Sequence, residues 1–172
     1  QCRNSMYYFD VAKSVGIYKG QLSRAIARMK YYRQRWLSRP LGNLLGQLAL
    51  SIPRSDVVVP IPLELSSQRI RGFNQAKDLA FEVAAKTSYP MADILVRTVP
   101  RGHQAQLSKL SRWQNLRGTM SVSKSGDIKG ATILLVDDVI TTGATLDEGA
   151  RALKEAGAAG VYCVTLARTL KA

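Results

Sequence analysis

Residues 133–145 read Ile-Leu-Leu-Val-Asp-Asp-Val-Ile-Thr-Thr-Gly-Ala-Thr, and this stretch decides the fold. Its four leading apolar residues predict a buried strand, and two acids stand at the strand's end. Carboxylates at such a place are costly unless cations or ligand hydroxyls compensate them. The turn from Thr141 to Thr145 leads into a predicted helix, where small residues, hydroxyl donors and the helix N-terminus favour an anion. Carboxylates beside a phosphate cradle predict a sugar-phosphate site; the alternative is a pair of acids at a helix start with ordinary capping threonines.

From residue 51 onward the chain alternates between strand and helix patterns. Apolar runs and three-to-four spacings predict, in order, strand 56–61, helix 73–86, strand 94–98, loop 100–111, strand 120–122, strand 133–136, helix 143–155 and strand 161–167. This alternation predicts an α/β fold, a mostly parallel twisted sheet flanked by helices. Ligands of such sheets bind beyond the carboxyl ends of the strands, so we expect the site to follow Val59 and Val136.

The first 50 residues are predicted to be a basic helical segment that packs on a core formed by residues 51–172. Nine Lys or Arg stand there against one acid, a local net charge of +8 in a chain whose total is +13. Helical spacing starts near Gly20, and Pro40 is expected to break it before a second helix at 41–49. The buried stripe predicted for that second helix consists of Leu44, Leu45 and Leu48.

Basic and aromatic side chains interleave between residues 28 and 36. Surfaces that bind single-stranded nucleic acid combine cations for phosphates with rings on which bases stack. The pattern therefore makes Arg28, Lys30, Arg33 and Arg35 candidate nucleic-acid-binding residues. The alternatives are a solvated basic face that aids solubility and aromatic residues that belong to the core.

Several function classes lack their sequence signatures. No apolar run approaches the length of a membrane span, which needs about 18 residues. The first residues, Gln1-Cys2-Arg3-Asn4, lack the apolar core of a signal peptide. We therefore expect a trimmed chain that stays in the cytoplasm. The glycine motifs of P-loop hydrolases and dinucleotide-binding proteins are absent. His103 is the only histidine, and two cysteines, Cys2 and Cys163, are too few for a disulfide framework.

Residues 133–145 resemble the phosphoribosyl pyrophosphate (PRPP) motif of type I phosphoribosyltransferases. Further segments resemble the ComF (ComFC, GntX-like) competence branch of that family: Val59-Pro60-Ile61-Pro62-Leu63, Arg69 with Arg71-Gly72-Phe73-Asn74-Gln75, the stretch from Tyr18 to Tyr31, and the spaced residues Gln104, Leu107, Arg112, Asn115 and Gly118. The resemblance covers about residues 16–169. It implies the type I phosphoribosyltransferase fold, α/β with an N-terminal helical segment.

The resemblance also implies roles for individual residues. Asp137 and Asp138 would be catalytic and metal-binding residues. They would accept hydrogen bonds from the ribose hydroxyls, with Mg²⁺ bound close by. Arg69 and Arg71 would face the pyrophosphate, although both also suit a solvated surface. Arg112 would be catalytic, in a loop that closes over the site. PRPP would contact seven consecutive residues: Val139, Ile140, Thr141, Thr142, Gly143, Ala144 and Thr145.

The chain departs from the branch at its start. Branch members commonly begin with a four-cysteine zinc ribbon, of which residues 1–5 could be a remnant, and the lone Cys2 leads us to expect no zinc. Three functions stay open: a Mg²⁺-dependent, PRPP-binding phosphoribosyltransferase-like protein in DNA uptake and natural transformation, whose acceptor is unknown; a non-catalytic single-stranded DNA-binding competence factor with a vestigial or sensing PRPP site; and a nucleobase salvage enzyme. The partners expected are PRPP, single-stranded DNA and other competence proteins.

Overall fold

The computed structural model describes residues 7–64, 71–97, 117–123 and 127–170. Four parallel strands form the main sheet in the spatial order β1-β6-β5-β2: β1 (Val11–Ile17), β2 (Val57–Pro60), β5 (Thr132–Ile140) and β6 (Gly160–Arg168). One face is covered by α1 (Gly20–Tyr31), α2 (Ser38–Ala49) and α3 (Gln75–Thr87), and the other by α4 (Ala144–Glu155). A separate antiparallel ribbon pairs β3 (Leu95–Arg97) with β4 (Met120–Val122). The predicted α/β fold with a parallel sheet flanked by helices is confirmed.

Strand β5 lies in the interior of the sheet and contributes to both halves of the core. Ile133 and Leu135 pack in the cluster that includes α4, whereas Leu134 and Val136 pack in the cluster that includes α1, α2 and α3. All four side chains are fully buried. A parallel strand that is covered on both faces has no solvent side, which explains why its sequence is a continuous apolar run.

The start of α3 is tied to the end of β2 by one asparagine. Asn74 Oδ1 accepts a hydrogen bond from the Ala76 backbone N–H at 3.0 Å, and Asn74 Nδ2 donates to the Ile61 carbonyl at 2.9 Å. A side-chain cap of this kind typically contributes about 1 kcal/mol. It also fixes the turn around residues 71–75 beside the carboxyl end of the sheet, where the site lies.

The ribbon is fastened to α4 by a buried ion pair. Glu148 and Arg151 are both buried, and Arg151 Nε lies 2.8 Å from Glu148 Oε2. Glu148 Oε1 accepts a hydrogen bond from the Met120 backbone N–H at 3.0 Å, and Arg151 Nη2 donates to the Met120 carbonyl at 3.1 Å. The pair therefore satisfies both backbone groups at the start of β4 and holds that strand on the helix.

Three features differ from the sequence-based expectations. The helix break lies after Tyr31 rather than at Pro40, because Pro40 stands in the first turn of α2, where its missing N–H costs no intrahelical bond. Leu44 is 45% exposed, although its predicted stripe neighbour Leu45 is fully buried. Strand β1, which pairs with β6, was not predicted.

Strand β5 is also longer than the predicted strand 133–136, since it continues through both acids to Ile140. The acidic pair therefore belongs to the strand itself rather than to the turn that follows. Among the residues that the structure describes, no helix has the length and apolar character that a membrane crossing requires.

Candidate functional site

A polar cleft of about 160 Å³ opens at the carboxyl end of β2 and β5. Its lining brings together residues from four regions of the chain: residue 30, residues between 61 and 76, residue 97, and residues between 137 and 145. The charged and hydroxyl groups in that lining are Lys30, Glu64, Arg71, Arg97, Asp137, Asp138 and Thr145. Parallel α/β sheets bind ligands at this edge, so the cleft is the candidate site.

The acidic pair lies at the inner end of the cleft. Asp138 is buried, and its Oδ2 lies 2.7 Å from Lys30 Nζ. Asp137 Oδ1 accepts a hydrogen bond from the Asp138 backbone N–H at 2.8 Å. Burial, and next the charge of Asp138, raise the pKa of Asp137 to about 7, against the opposing effects of the Asp138 N–H, Lys30 and Arg97. A negative charge on Asp137 next to that on Asp138 therefore costs free energy, and a bound cation or hydroxyl donors would lower that cost.

Lys30 reaches this acid because of the way α1 packs. Ile26 and Met29 are fully buried in the core beneath α1, and Lys30 follows Met29 directly at the helix end. The structure therefore places Lys30 in the cleft, apart from the other three basic candidates, and its predicted role in nucleic-acid binding stays a prediction. Sequence reasoning missed the role of Lys30 in the cleft, because spacing along a helix does not reveal which strand end the helix reaches.

The other three basic candidates lie outside the cleft. Arg35 donates to both carboxylate oxygens of Asp78 at 2.9 Å and stacks over the Phe73 ring, with 5.0 Å between guanidinium carbon and ring centroid. Arg28 and Arg33 are exposed. Around them stand three strongly exposed aromatic side chains, Tyr31, Tyr32 and Trp36. Exposed rings beside exposed arginines are the combination that the sequence indicated, and we call this area the basic-aromatic surface.

The turn between β5 and α4 has the shape of an anion cradle. Gly143 stands immediately before α4 with φ at 87°, a left-handed conformation that costs other residues energy. Thr142 Oγ1 accepts a hydrogen bond from the Ala144 N–H at 3.4 Å, while Thr145 lines the cleft. The start of a regular 12-residue helix therefore faces the same opening as the acidic pair.

A short segment before β1 crosses the outer side of this turn. The Tyr8 backbone N–H donates to Asp147 Oδ1 at 2.6 Å, in the first turn of α4. A Cβ atom at Gly143 would lie 3.5 Å from the Tyr7 ring. The turn is therefore held between the sheet and this segment, so its geometry is fixed before any ligand binds.

Two arginines supply positive charge to the cleft. The Arg71 guanidinium lies 5.1 Å from the centroid of the Tyr31 ring, and Arg71 Nη1 donates to Gln75 Oε1 at 3.3 Å. Arg97 Nε donates to the Pro62 carbonyl at 3.1 Å. Sequence reasoning identified Arg71 but missed Arg97, which lies within a predicted strand whose neighbours the sequence does not reveal. Arg69 and Arg112 lie outside the described residues.

One buried donor in the cleft lacks a partner. Gln75 is 2% exposed, and its Nε2 has no hydrogen-bond partner among the described residues. Together with Arg71 and Arg97, which line the same cleft, it offers donors to an anion. No group of three or more potential metal ligands occurs within the described ranges, so the donor set does not form a metal cage made of protein alone. Two carboxylates beside an anion-binding wall fit Mg²⁺ that is shared with phosphate oxygens.

The Phosphoribosyl transferase domain model matches residues 64–171. Competence protein F of Haemophilus influenzae is 33% identical over 168 residues, which cover 93% of this chain and 73% of the relative. DNA utilization protein YhgH of Escherichia coli K12 is 32% identical over 165 residues, 91% of this chain and 71% of the relative. Competence protein ComFC of Bacillus subtilis is 36% identical over 114 residues, 66% of this chain and 45% of the relative.

Two solved structures share the fold over a larger part of this chain than of their own. An allosteric regulatory enzyme of purine biosynthesis superposes with a TM-score of 0.52 at 26% identity, covering 75% of this chain and 26% of that chain. The glutamine PRPP amidotransferase of Bacillus subtilis, complexed with ADP and GMP, superposes with a TM-score of 0.56 at 24% identity, covering 81% of this chain and 30% of that chain. These likenesses show the phosphoribosyltransferase fold.

Proposed function

Because the chain belongs to the ComF competence branch of the phosphoribosyltransferase family, we propose that it binds PRPP with Mg²⁺ in the cleft and acts in DNA uptake. The single observation that carries this proposal is the arrangement at the end of β5. Asp137 and Asp138 line one cleft together with Arg71 and Arg97, and Thr145, in the first turn of the helix that Gly143 precedes, lines the same cleft. PRPP is a ribose that carries a 5′-phosphate and a pyrophosphate. The acids suit its hydroxyls, the turn before α4 suits the 5′-phosphate, and the arginines suit the pyrophosphate.

Each part of the cleft has a role in that complex. Asp137 and Asp138 accept hydrogen bonds from the ribose hydroxyls, and the turn before α4 receives the 5′-phosphate on backbone N–H groups. Arg71, Arg97 and the unpartnered Gln75 Nε2 bind the pyrophosphate. Mg²⁺, when bound with PRPP, would neutralise part of the pyrophosphate charge.

If the chain transfers the phosphoribosyl group, pyrophosphate leaves the anomeric carbon of the ribose through an oxocarbenium-like state. The departing group then carries increasing negative charge, which fixed cations aimed at it stabilise more strongly than they stabilise the bound substrate. Arg71 and Arg97 are the cations on that side of the described cleft. Their removal should therefore lower the rate of pyrophosphate release more than the affinity for PRPP.

Thermal unfolding with PRPP and Mg²⁺ tests the binding proposal. A ligand at 100 times its Kd stabilises the folded state by about 2.7 kcal/mol, or roughly 5 to 10 °C for a chain of this size. We expect this shift for the wild type and no shift for Asp138→Asn. Asp93→Asn is the matched control, because Asp93 forms an exposed ion pair with Lys77 away from the cleft and should leave the shift intact. A full shift in Asp138→Asn would contradict the proposed site.

We propose as a second function that the basic-aromatic surface binds single-stranded DNA during cytoplasmic handling in natural transformation. The observation that favours it is the exposure of Tyr32 and Trp36, 73% and 67%, beside the exposed Arg28 and Arg33. Competence and DNA utilization proteins among the relatives support the same process. Binding to an oligonucleotide should weaken with salt, and Trp36→Ala should weaken it at every salt concentration, since a stacked base is worth about 1–3 kcal/mol.

Two further alternatives have direct tests. A screen of nucleobases for PRPP-dependent pyrophosphate release would identify a salvage activity, whereas PRPP binding without release on any acceptor would favour a sensing role. Interaction with other competence proteins is testable by co-purification from cells that express both partners.

A further inference from the structure

Two consecutive residues at the end of α1 contact two groups of opposite charge that line the cleft, Asp138 and Arg71. Lys30 Nζ lies 2.7 Å from Asp138 Oδ2, and the two side chains are only 16% and 11% exposed. The next residue, Tyr31, presents its ring to Arg71, with the guanidinium carbon 5.1 Å from the ring centroid. The same helix end therefore reaches both the acidic side and the basic side of the site.

Each of these contacts resembles a contact that the proposed ligand would make. The ammonium of Lys30 offers Asp138 the positive charge that a divalent cation would offer. The electron-rich face of the Tyr31 ring attracts the Arg71 guanidinium electrostatically, as a phosphate oxygen would do more strongly. A divalent cation at the Asp138 carboxylate and an ammonium 2.7 Å from the same carboxylate carry like charges in a largely buried place, so they compete for it.

We propose that the end of α1 is a built-in competitor of the ligand, so that a magnesium–pyrophosphate group binds by displacing Lys30 from Asp138 and Tyr31 from Arg71. This inference rests on the proposed function, because it takes the cleft as the PRPP site. It adds a consequence that the proposed function lacks. Displacement frees the Lys30 ammonium and the Tyr31 ring, which lie next to the other residues of the basic-aromatic surface. A ligand in the cleft therefore changes the affinity of that surface for a polyanion, and a bound polyanion changes the affinity of the cleft by the same factor.

Direct metal binding tests the Lys30 half of this inference. Free Mn²⁺ is measured by electron paramagnetic resonance with the ligand-free protein at pH 8. We expect Lys30→Met to bind Mn²⁺ about tenfold more tightly than the wild type, since it removes an adjacent like charge. Lys30→Arg keeps the charge and should resemble the wild type. Equal affinity in Lys30→Met and the wild type, or weaker affinity in Lys30→Met, would overturn the competition.

Calorimetric titration with magnesium pyrophosphate tests the Tyr31 half. Tyr31→Ala should raise the affinity by about two- to fivefold, the size expected for an exposed cation–π contact. Phe81→Ala is the matched control, because Phe81 is an equally exposed ring on α3 that does not line the cleft, so its removal should leave the affinity unchanged. Tyr31 is 66% exposed, so its truncation leaves the core intact even if Lys30→Met does not fold. An unchanged or lower affinity in Tyr31→Ala would overturn this half.

The variant Asp137→Asn/Asp138→Asn separates failure of the inference from failure of the proposed function. If this double variant binds Mn²⁺ and magnesium pyrophosphate as the wild type does, the cleft is not the site and both proposals fall. If it loses both ligands while Lys30→Met and Tyr31→Ala bind like the wild type, the site stands and only the competition falls.

Discussion

Replacing Asp137 with asparagine removes a negative charge from the cleft while keeping the shape of the side chain. The asparagine carbonyl oxygen can still accept the hydrogen bond from the Asp138 N–H. We expect the ligand-free protein to become more stable at pH 8, although the same substitution destroys the proposed ligand site. A group that costs stability and contributes binding is typical of functional sites.

The magnitude follows from the pKa of Asp137. Burial and the neighbouring Asp138 raise it from 3.8 to about 7, a difference of about 3 pKa units that corresponds to about 4 kcal/mol at 1.36 kcal/mol per unit. Between about pH 4 and pH 7 the folded state keeps a proton that the unfolded chain has released, so this group makes stability fall as pH rises. The gain from Asp137→Asn should therefore be absent near pH 4 and reach up to about 4 kcal/mol at pH 8.

Urea unfolding followed by circular dichroism between pH 4 and pH 8, with a chelator and no ligand, measures this gain. The free energies of unfolding of the wild type and Asp137→Asn should diverge as pH rises. Asp93→Asn provides the control, because its exposed ion pair with Lys77 is worth at most about 1 kcal/mol. A pH-independent difference, or a variant less stable than the wild type at pH 8, would refute the conclusion that Asp137 is destabilised by its surroundings.

Three further predictions concern other parts of the molecule. Gly143→Ala should cost about 1–2 kcal/mol in urea unfolding and weaken PRPP binding, because φ at this position is left-handed; unchanged PRPP affinity would argue against the turn as a phosphate cradle. Glu148→Gln should destabilise the protein by less than the about 3–5 kcal/mol of a fully uncompensated buried charge, because Arg151 loses its buried partner but keeps the ion pair with the exposed Glu155. The double variant Glu148→Gln/Arg151→Met should recover part of that loss, and an equal loss in the single and the double variant would contradict the coupling. Arg28→Ala/Arg33→Ala should lower the salt slope of single-stranded DNA binding by about 1.4, and an unchanged slope would exclude these phosphate contacts.

Local sequence predicted the parts of the fold that local forces determine. The run Ile133–Val136 is apolar at every position because both faces of β5 are covered, so the buried strand is evident without knowledge of its neighbours. Strand β1 is different. Its Lys13 and Val15 are exposed, and it pairs with β6, more than 140 residues further along the chain, so neither pattern nor proximity indicated it.

The site shows the same limit. The acids and the Gly143 turn are adjacent in sequence and were identified together. Lys30 and Arg97 come to the acids only through the packing of α1 and the placement of β3, which single-sequence patterns do not encode. The sequence pattern accordingly groups Lys30 with the nucleic-acid-binding candidates, whereas the end of α1 brings it to Asp138.

Calorimetric titration of PRPP into the protein, with and without Mg²⁺, decides most directly whether the cleft at the end of β5 is a PRPP site. The wild type should bind PRPP in a Mg²⁺-dependent manner, and Asp137→Asn/Asp138→Asn should not bind it while remaining folded. Equal affinity in the wild type and the double variant, or no binding by the wild type in the presence of Mg²⁺, would contradict the assignment.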